Sequence, residues 1–118
     1  MTLKRLLSRE GYEVITALSG EWALREIEDR DFDLVISDIK MPNMSGIETV
    51  KRIREYLRES NRKPIPEIFI TAYAKEDIYE ETLRLNVPAY IEKLFDVKTL
   101  LQTVKEIIEK TRIDTRYN

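Results

Sequence analysis

The chain predicts an α/β fold with a doubly wound parallel sheet, and three observations carry that prediction. Helical and extended patterns alternate strictly, in the order α-β-α-β-α-β-α-β-α. Two of the extended runs, "DLVIS" at 33–37 and "EIFITA" at 67–72, hold consecutive apolar residues instead of an apolar/polar alternation, as strands do when helices cover both faces of a parallel sheet. The connections are short, which calls for right-handed crossovers. At 118 residues the chain has material for one domain with a real core and not for two.

Each element has a local reason. Leu3, Leu6 and Leu7 recur at helical spacing, and Gly11 stops that helix as a glycine just past a C-terminus does. "YEVITA" at 12–17 is β-branched and reads as a strand. Ser19 suits the N-cap of a helix from Glu21 to about Arg30, with Ala23, Leu24 and Ile27 on its inner face. After "DLVIS", a helix from Ser45 to about Glu59 turns Ile47, Val50, Ile53 and Leu57 inward, and Pro64 and Pro66 fence its end. After "EIFITA" comes a helix with Ile78, Leu83 and Leu85, then a short strand around "AYIEK" at 89–93. Asp96 caps a last helix carrying Val97, Leu100, Leu101, Val104, Ile107 and Ile108. The core spans about 3–111, and the polar tail "RIDTRYN" at 112–118 is expected to fray. No repeat or low-complexity linker interrupts the domain, taken as 1–118.

Composition narrows the function. The chain is 42% apolar and 36% charged with three Gly and four Pro, a globular profile. Its net charge of −2, from 20 basic and 22 acidic residues, makes no electrostatic case for nucleic acid or an anionic membrane. The absence of Cys removes disulfides, zinc thiolates and thiol catalysis, and the absence of His removes the commonest general base and metal ligand. No apolar run approaches the roughly 20 residues a membrane helix needs, and the N-terminus lacks the apolar stretch of a signal peptide. A cytoplasmic location is expected. With no histidine base, nucleophile-elbow serine or glycine-rich phosphate loop, a hydrolytic enzyme is disfavoured.

In an open α/β sheet, function gathers at the carboxyl ends of the strands. Those ends carry Asp38, Thr71 and Lys93. An Asp after a strand is by itself ordinarily a cap or turn residue, and a Thr in a strand ordinarily reflects β propensity. Together the three make a carboxylate, a hydroxyl and an ammonium on one rim. A carboxylate can attack phosphorus to give an aspartyl phosphate, and a nearby Lys and Thr can pair with the oxygens of the product.

These residues sit in "ISDIKMPNMSG", "ITAYA" and "YIEKLF", which resemble the three signature segments of the receiver domain of two-component response regulators. "GYEVITALSGEWAL" is similar to the same family's segment from the first helix into the second, and the resemblance covers about 3–111. It implies the flavodoxin-like receiver fold. It implies that Asp38 accepts a phosphoryl group from a histidine kinase or phosphotransfer protein, with Thr71 the switch hydroxyl and Lys93 the phosphate-pairing lysine. Tyr90 is then the aromatic ring whose inward or outward position reports phosphorylation, as well as a core residue. The backbone carbonyl of Lys40 matches a magnesium ligand. Receivers signal and are not enzymes beyond phosphotransfer to and from themselves, so the implied role is a single-domain regulator acting on a protein target.

The pattern departs from the family at one important point. Receivers begin with a strand that is central in the sheet and ends in two acidic residues that hold Mg²⁺ with the acceptor. That strand is missing from this chain, so Mg²⁺ is expected to bind weakly through Asp38 and the Lys40 carbonyl. The alternative reading is therefore a pseudo-receiver, an interaction module independent of phosphate. A sheet without its central strand either pairs "YEVITA" directly with "DLVIS" or is filled from outside. Leu3, Leu6 and Leu7 would then need new cover, which predicts a homodimer, with exchange of the N-terminal helix as one route. Leu94 stands where the family has proline after the lysine, so a cis peptide is not expected there. Asn86 stands in for a turn glycine and can adopt the left-handed conformation. Trp22 lies about 100° off the inward stripe of its helix, which leaves both a half-buried structural role and an exposed partner contact open.

Overall fold

The computed structural model describes residues 2–41, 43–72, 76–92 and 95–117, without the side chains of 76–78 and 112–117. Among these it holds five helices and three strands: α1 (Leu3–Arg9), α2 (Gly20–Asp29), β1 (Val35–Asp38), α3 (Gly46–Glu59), β2 (Glu67–Thr71), α4 (Glu76–Leu85), β3 (Ala89–Glu92) and α5 (Val97–Tyr117). The strands form one parallel sheet in the order β1-β2-β3, with Asp38 opposite Ile70 and Thr71 opposite Glu92.

The helices start where short polar side chains cap them. The Ser19 and Ser45 hydroxyls accept from the Trp22 and Glu48 amides, each at 3.1 Å, and the Thr2 hydroxyl accepts from the Arg5 amide at 3.2 Å. Asp96 caps α5, its carboxylate accepting from the Lys98 amide at 3.0 Å. Gly11 follows α1 at φ 92°, and Asn86 follows α4 at φ 55°, both left-handed.

Alternation along β2 splits the core between the two faces of the sheet. Ile68 and Ile70 pack with Leu7 of α1 and with Leu100, Val104 and Ile108 of α5. Phe69 packs on the other face with Ile39, Ile47 and Val50, beside a cluster of Ile27, Ile53, Leu57 and Ile65 from α2, α3 and the approach to β2. Helices on both faces of a parallel sheet are the doubly wound arrangement. The inward residues expected of α3 are all buried. On α4, Thr82 is buried while Leu83 faces solvent, and the side chain of Ile78 lies outside the described residues.

Four expectations change. "YEVITA" is not a strand: residues 12–17 join no ladder, and no backbone hydrogen bond links them to β1 among the described residues. A β-branched run needs a neighbour to hydrogen-bond with, and none stands beside it among the described residues. A cavity of about 640 Å³ opens instead between 12–17 and β1. With one side of the strand open, β1 is half-buried at three of its four positions and not sealed on both faces. The residues expected as a polar tail continue the last helix, since α5 runs on to Tyr117. Two leucines of α1 find cover inside the chain: Leu7 is 5% exposed and Leu3 packs against the same cluster, which removes part of the case for a homodimer.

Candidate functional site

β1 carries Asp38 to the carboxyl rim of the sheet, and the chain then turns at once into α3. The turn is held by the Gly46 amide, which donates to the Ile39 carbonyl at 2.8 Å, and by Asn43 in a left-handed conformation at φ 69°. Gly46 is required by close approach. A Cβ there would collide with the Asp38 carbonyl oxygen and lie 2.8 Å from the Ser37 hydroxyl. The Ser37 hydroxyl in turn donates to the Asp38 carbonyl at 2.9 Å. The backbone under Asp38 is thus pinned from two sides, and its half-buried carboxylate stands on the rim, accepting from the Lys40 amide at 3.4 Å.

Register places the other residues. Thr71, 1% exposed, ends β2 one step beyond the partner of Asp38, and Glu92 ends β3 opposite Thr71. Lys93 follows directly but lies outside the described residues, as does the peptide to Leu94. Tyr90, two residues earlier on β3, packs its ring against the cluster of Ile39, Ile47, Val50 and Phe69. The Tyr79 ring meets it edge-on at 5.3 Å. The Tyr90 hydroxyl is buried and has no hydrogen-bond partner among the described residues. Burial pushes its phenol above the ordinary value, and the Glu92 carboxylate and Tyr79 add to the effect.

The donor set for a metal is thin. The described residues contain no group of three acidic, histidine or cysteine side chains able to hold an ion. Asp38 and the Lys40 carbonyl would supply two of the six oxygens that Mg²⁺ demands. These residues do not make a full Mg²⁺ site.

Sequence reasoning missed two features. The first is the Ser37–Asp38–Gly46 contact, which depends on α3 folding back over the strand end. The second lies at the opposite, amino end of β2. Glu67, 2% exposed, accepts from Arg54 through two bonds of 2.7 and 2.8 Å, and Arg54 also donates to the Leu85 carbonyl at 2.6 Å. One guanidinium thereby ties α3, β2 and the end of α4, and Glu67 holds it above its ordinary pKa. The signal available was a lone charge opening an otherwise apolar strand run.

A parallel sheet with helices on both faces gathers function at the carboxyl ends of its strands, where Asp38 and Thr71 stand. The response regulator receiver domain profile matches residues 1–105, and the chain belongs to that family. Among curated relatives it is 36% identical over 111 residues to the transcriptional regulatory protein ZraR of Klebsiella oxytoca, covering 94% of this chain and 24% of that protein. It is 33% identical over 109 residues to the alkaline phosphatase synthesis transcriptional regulatory protein PhoP of Bacillus subtilis, covering 91% of this chain and 42% of that one. The chain thus spans about a quarter to under half of the length of these relatives. Among solved structures, a CheY-like receiver domain protein of Methanospirillum hungatei superposes with a TM-score of 0.83 at 32% identity, covering 94% of this chain and 85% of that one. The response regulator TrrA of Thermotoga maritima, solved in complex with Mg²⁺–BeF, superposes at 0.74 with 34% identity, covering 89% and 85%. The described residues contain no helix long and apolar enough to cross a membrane.

Proposed function

We propose that this receiver domain accepts a phosphoryl group on Asp38 from the phosphohistidine of a histidine kinase or phosphotransfer protein, and signals through a protein partner. The observation that carries the reading is the rim itself: a pinned turn presents the Asp38 carboxylate, and register sets Thr71 beside it. A carboxylate oxygen of Asp38 forms the new bond to phosphorus while the histidine nitrogen–phosphorus bond breaks, and the nitrogen leaves with the electron pair. The acyl phosphate adds nearly two negative charges. Thr71 is assigned the hydroxyl that donates to one of its oxygens, and Lys93 the ammonium that pairs with another. Tyr90 is assigned the ring that follows the change. The domain is taken as the whole of 1–118, in the cytoplasm.

The thin metal site favours a second reading, a pseudo-receiver that binds its partner without phosphate. One experiment separates the two. The chain is incubated with acetyl phosphate or phosphoramidate and Mg²⁺, and any hydroxylamine-labile adduct is mapped by mass spectrometry. The first reading expects one adduct, on Asp38, that is lost in Asp38→Asn. An unmodified chain supports the pseudo-receiver, and equal labelling of Asp38→Asn defeats the assignment of the acceptor. The reading requires no nucleic acid at this domain. The relatives named above are transcriptional regulators, of which it matches a part.

A further inference from the structure

A second cavity lies at the amino end of β2, the far end of the sheet from the rim. Its volume is about 740 Å³, and it opens between the end of α3, the connection over 61–67, the turn before β3 and Thr111 of α5. That volume is within the range of small-molecule sites, about 300–1,000 Å³.

The lining separates into two kinds of surface. Leu57, Pro64, Ile65, Pro66 and Pro88 are apolar, and the three prolines have no N–H and a fixed φ, so this wall offers few donors and holds its shape. Four cations, Arg54, Arg58, Arg62 and Lys63, stand against one anion, Glu67. Both Glu67 oxygens are taken by Arg54, at 2.7 and 2.8 Å. This positive excess is local, since the whole chain carries a net charge of −2.

Arginines near helix C-termini ordinarily serve the terminal carbonyls. Two of the four cations do so. Arg54 donates to the Leu85 carbonyl at the end of α4, and Arg62 to the Ile27 and Arg30 carbonyls at the end of α2. Arg58 and Lys63 are different. Both are exposed, and neither side chain has a hydrogen bond or ion pair among the described residues. The left-handed turn at Asn61, φ 59°, brings them to one end of α3, where the Arg62 amide donates to the Leu57 carbonyl at 2.8 Å. Two cations so close in sequence, beside an apolar wall, suit one anionic head group and not a row of acidic side chains.

We propose that this cavity binds a small organic anion, an apolar body carrying one carboxylate, sulfonate or phosphate group. The body lies against Leu57, Ile65 and the prolines, and the head group pairs with Arg58 and Lys63. The proposal does not rest on phosphoryl transfer at Asp38.

The test uses the full chain and two probes with the same aromatic body: anilinonaphthalenesulfonate, and phenylnaphthylamine, which lacks the sulfonate. Binding is followed by NMR at the amides of 57–63, 65 and 67. The sulfonate is expected to shift these signals saturably, and the uncharged amine to leave them in place. Arg58→Gln with Lys63→Gln changes two exposed positions, so it should fold. It should weaken the sulfonate about tenfold, as the loss of two exposed charge contacts does. Arg25→Gln with Lys98→Gln removes the same charge at exposed positions elsewhere and should leave the affinity unchanged. The proposal is overturned by the absence of a saturable shift at those amides, by equal shifts with the uncharged amine, by undiminished affinity in the Arg58→Gln, Lys63→Gln variant, or by an equal loss in the Arg25→Gln, Lys98→Gln variant. Inorganic sulfate that displaces the probe at equal concentration would remove the apolar body from the proposal. A capped peptide of alternating Asp and Leu that binds at the same amides more tightly than the sulfonate would assign the cavity to a polypeptide instead.

Discussion

Single residues at the rim make measurable claims. Gly46 has no space for a methyl group, because the Asp38 carbonyl occupies it. Gly46→Ala should lower stability by about 2–3 kcal/mol, as overpacking does when backbone is the obstacle, read as a shift in urea midpoint. Magnesium should give no sub-millimolar response in Trp22 fluorescence. Trp22 sits in the first turn of α2, half exposed, with its indole N–H donating to Glu26 at 3.4 Å. A tight response would show a fuller donor set than Asp38 and the Lys40 carbonyl. The Tyr90 phenol should titrate above the ordinary tyrosine range, read as the difference in ultraviolet pH titration between the chain and Tyr90→Phe. The sign follows from proton binding. The folded state holds this proton more tightly than the unfolded one, so the contribution is complete below the unfolded value near pH 10 and is lost as pH rises through the folded value.

Among the elements, α3 bears the most connections. Its cap and its packed face are local features, and Ser45→Ala should cost about 1 kcal/mol. The tie from Arg54 to Glu67 and the Leu85 carbonyl is not local. Arg54→Ala would leave a buried carboxylate without its partner. The expected loss is about 2–4 kcal/mol, below the range for a wholly buried pair because the arginine side chain is 34% exposed. Replacing both partners, Arg54→Met with Glu67→Leu, should cost less than Arg54→Ala alone. The opposite ordering in chemical denaturation would show that the guanidinium acts mainly through the Leu85 carbonyl.

At the level of the whole molecule, the sheet lies between two helical layers but stays open along β1. Leu7 and Leu3 of α1 pack in the cluster that holds Leu100, Val104 and Ile108 of α5, which weakens the drive to associate through that helix. Light scattering at micromolar concentration should return a mass near 14.0 kDa. A stable mass of twice that value would restore the homodimer and direct attention to the exposed Leu18, Trp22 and Leu83.

Local chemistry made much of this protein legible from its residues. Serine and aspartate caps, the left-handed Gly11 and Asn86, and the apolar stripe of α3 are settled within a turn or two of chain. So is the placing of Asp38 and Thr71 at strand ends, because continuous apolar runs announce a covered parallel strand and its last residue must reach the rim. Tertiary structure decided the rest, for one physical reason: those features depend on partners distant in sequence. Residues 12–17 have the composition of a strand, but a strand exists only where a neighbour accepts its hydrogen bonds, and none stands there among the described residues. Glu67 looks like a surface charge until Arg54, thirteen positions earlier, is packed against it. The need for glycine at 46 is invisible until α3 folds back onto the Asp38 carbonyl.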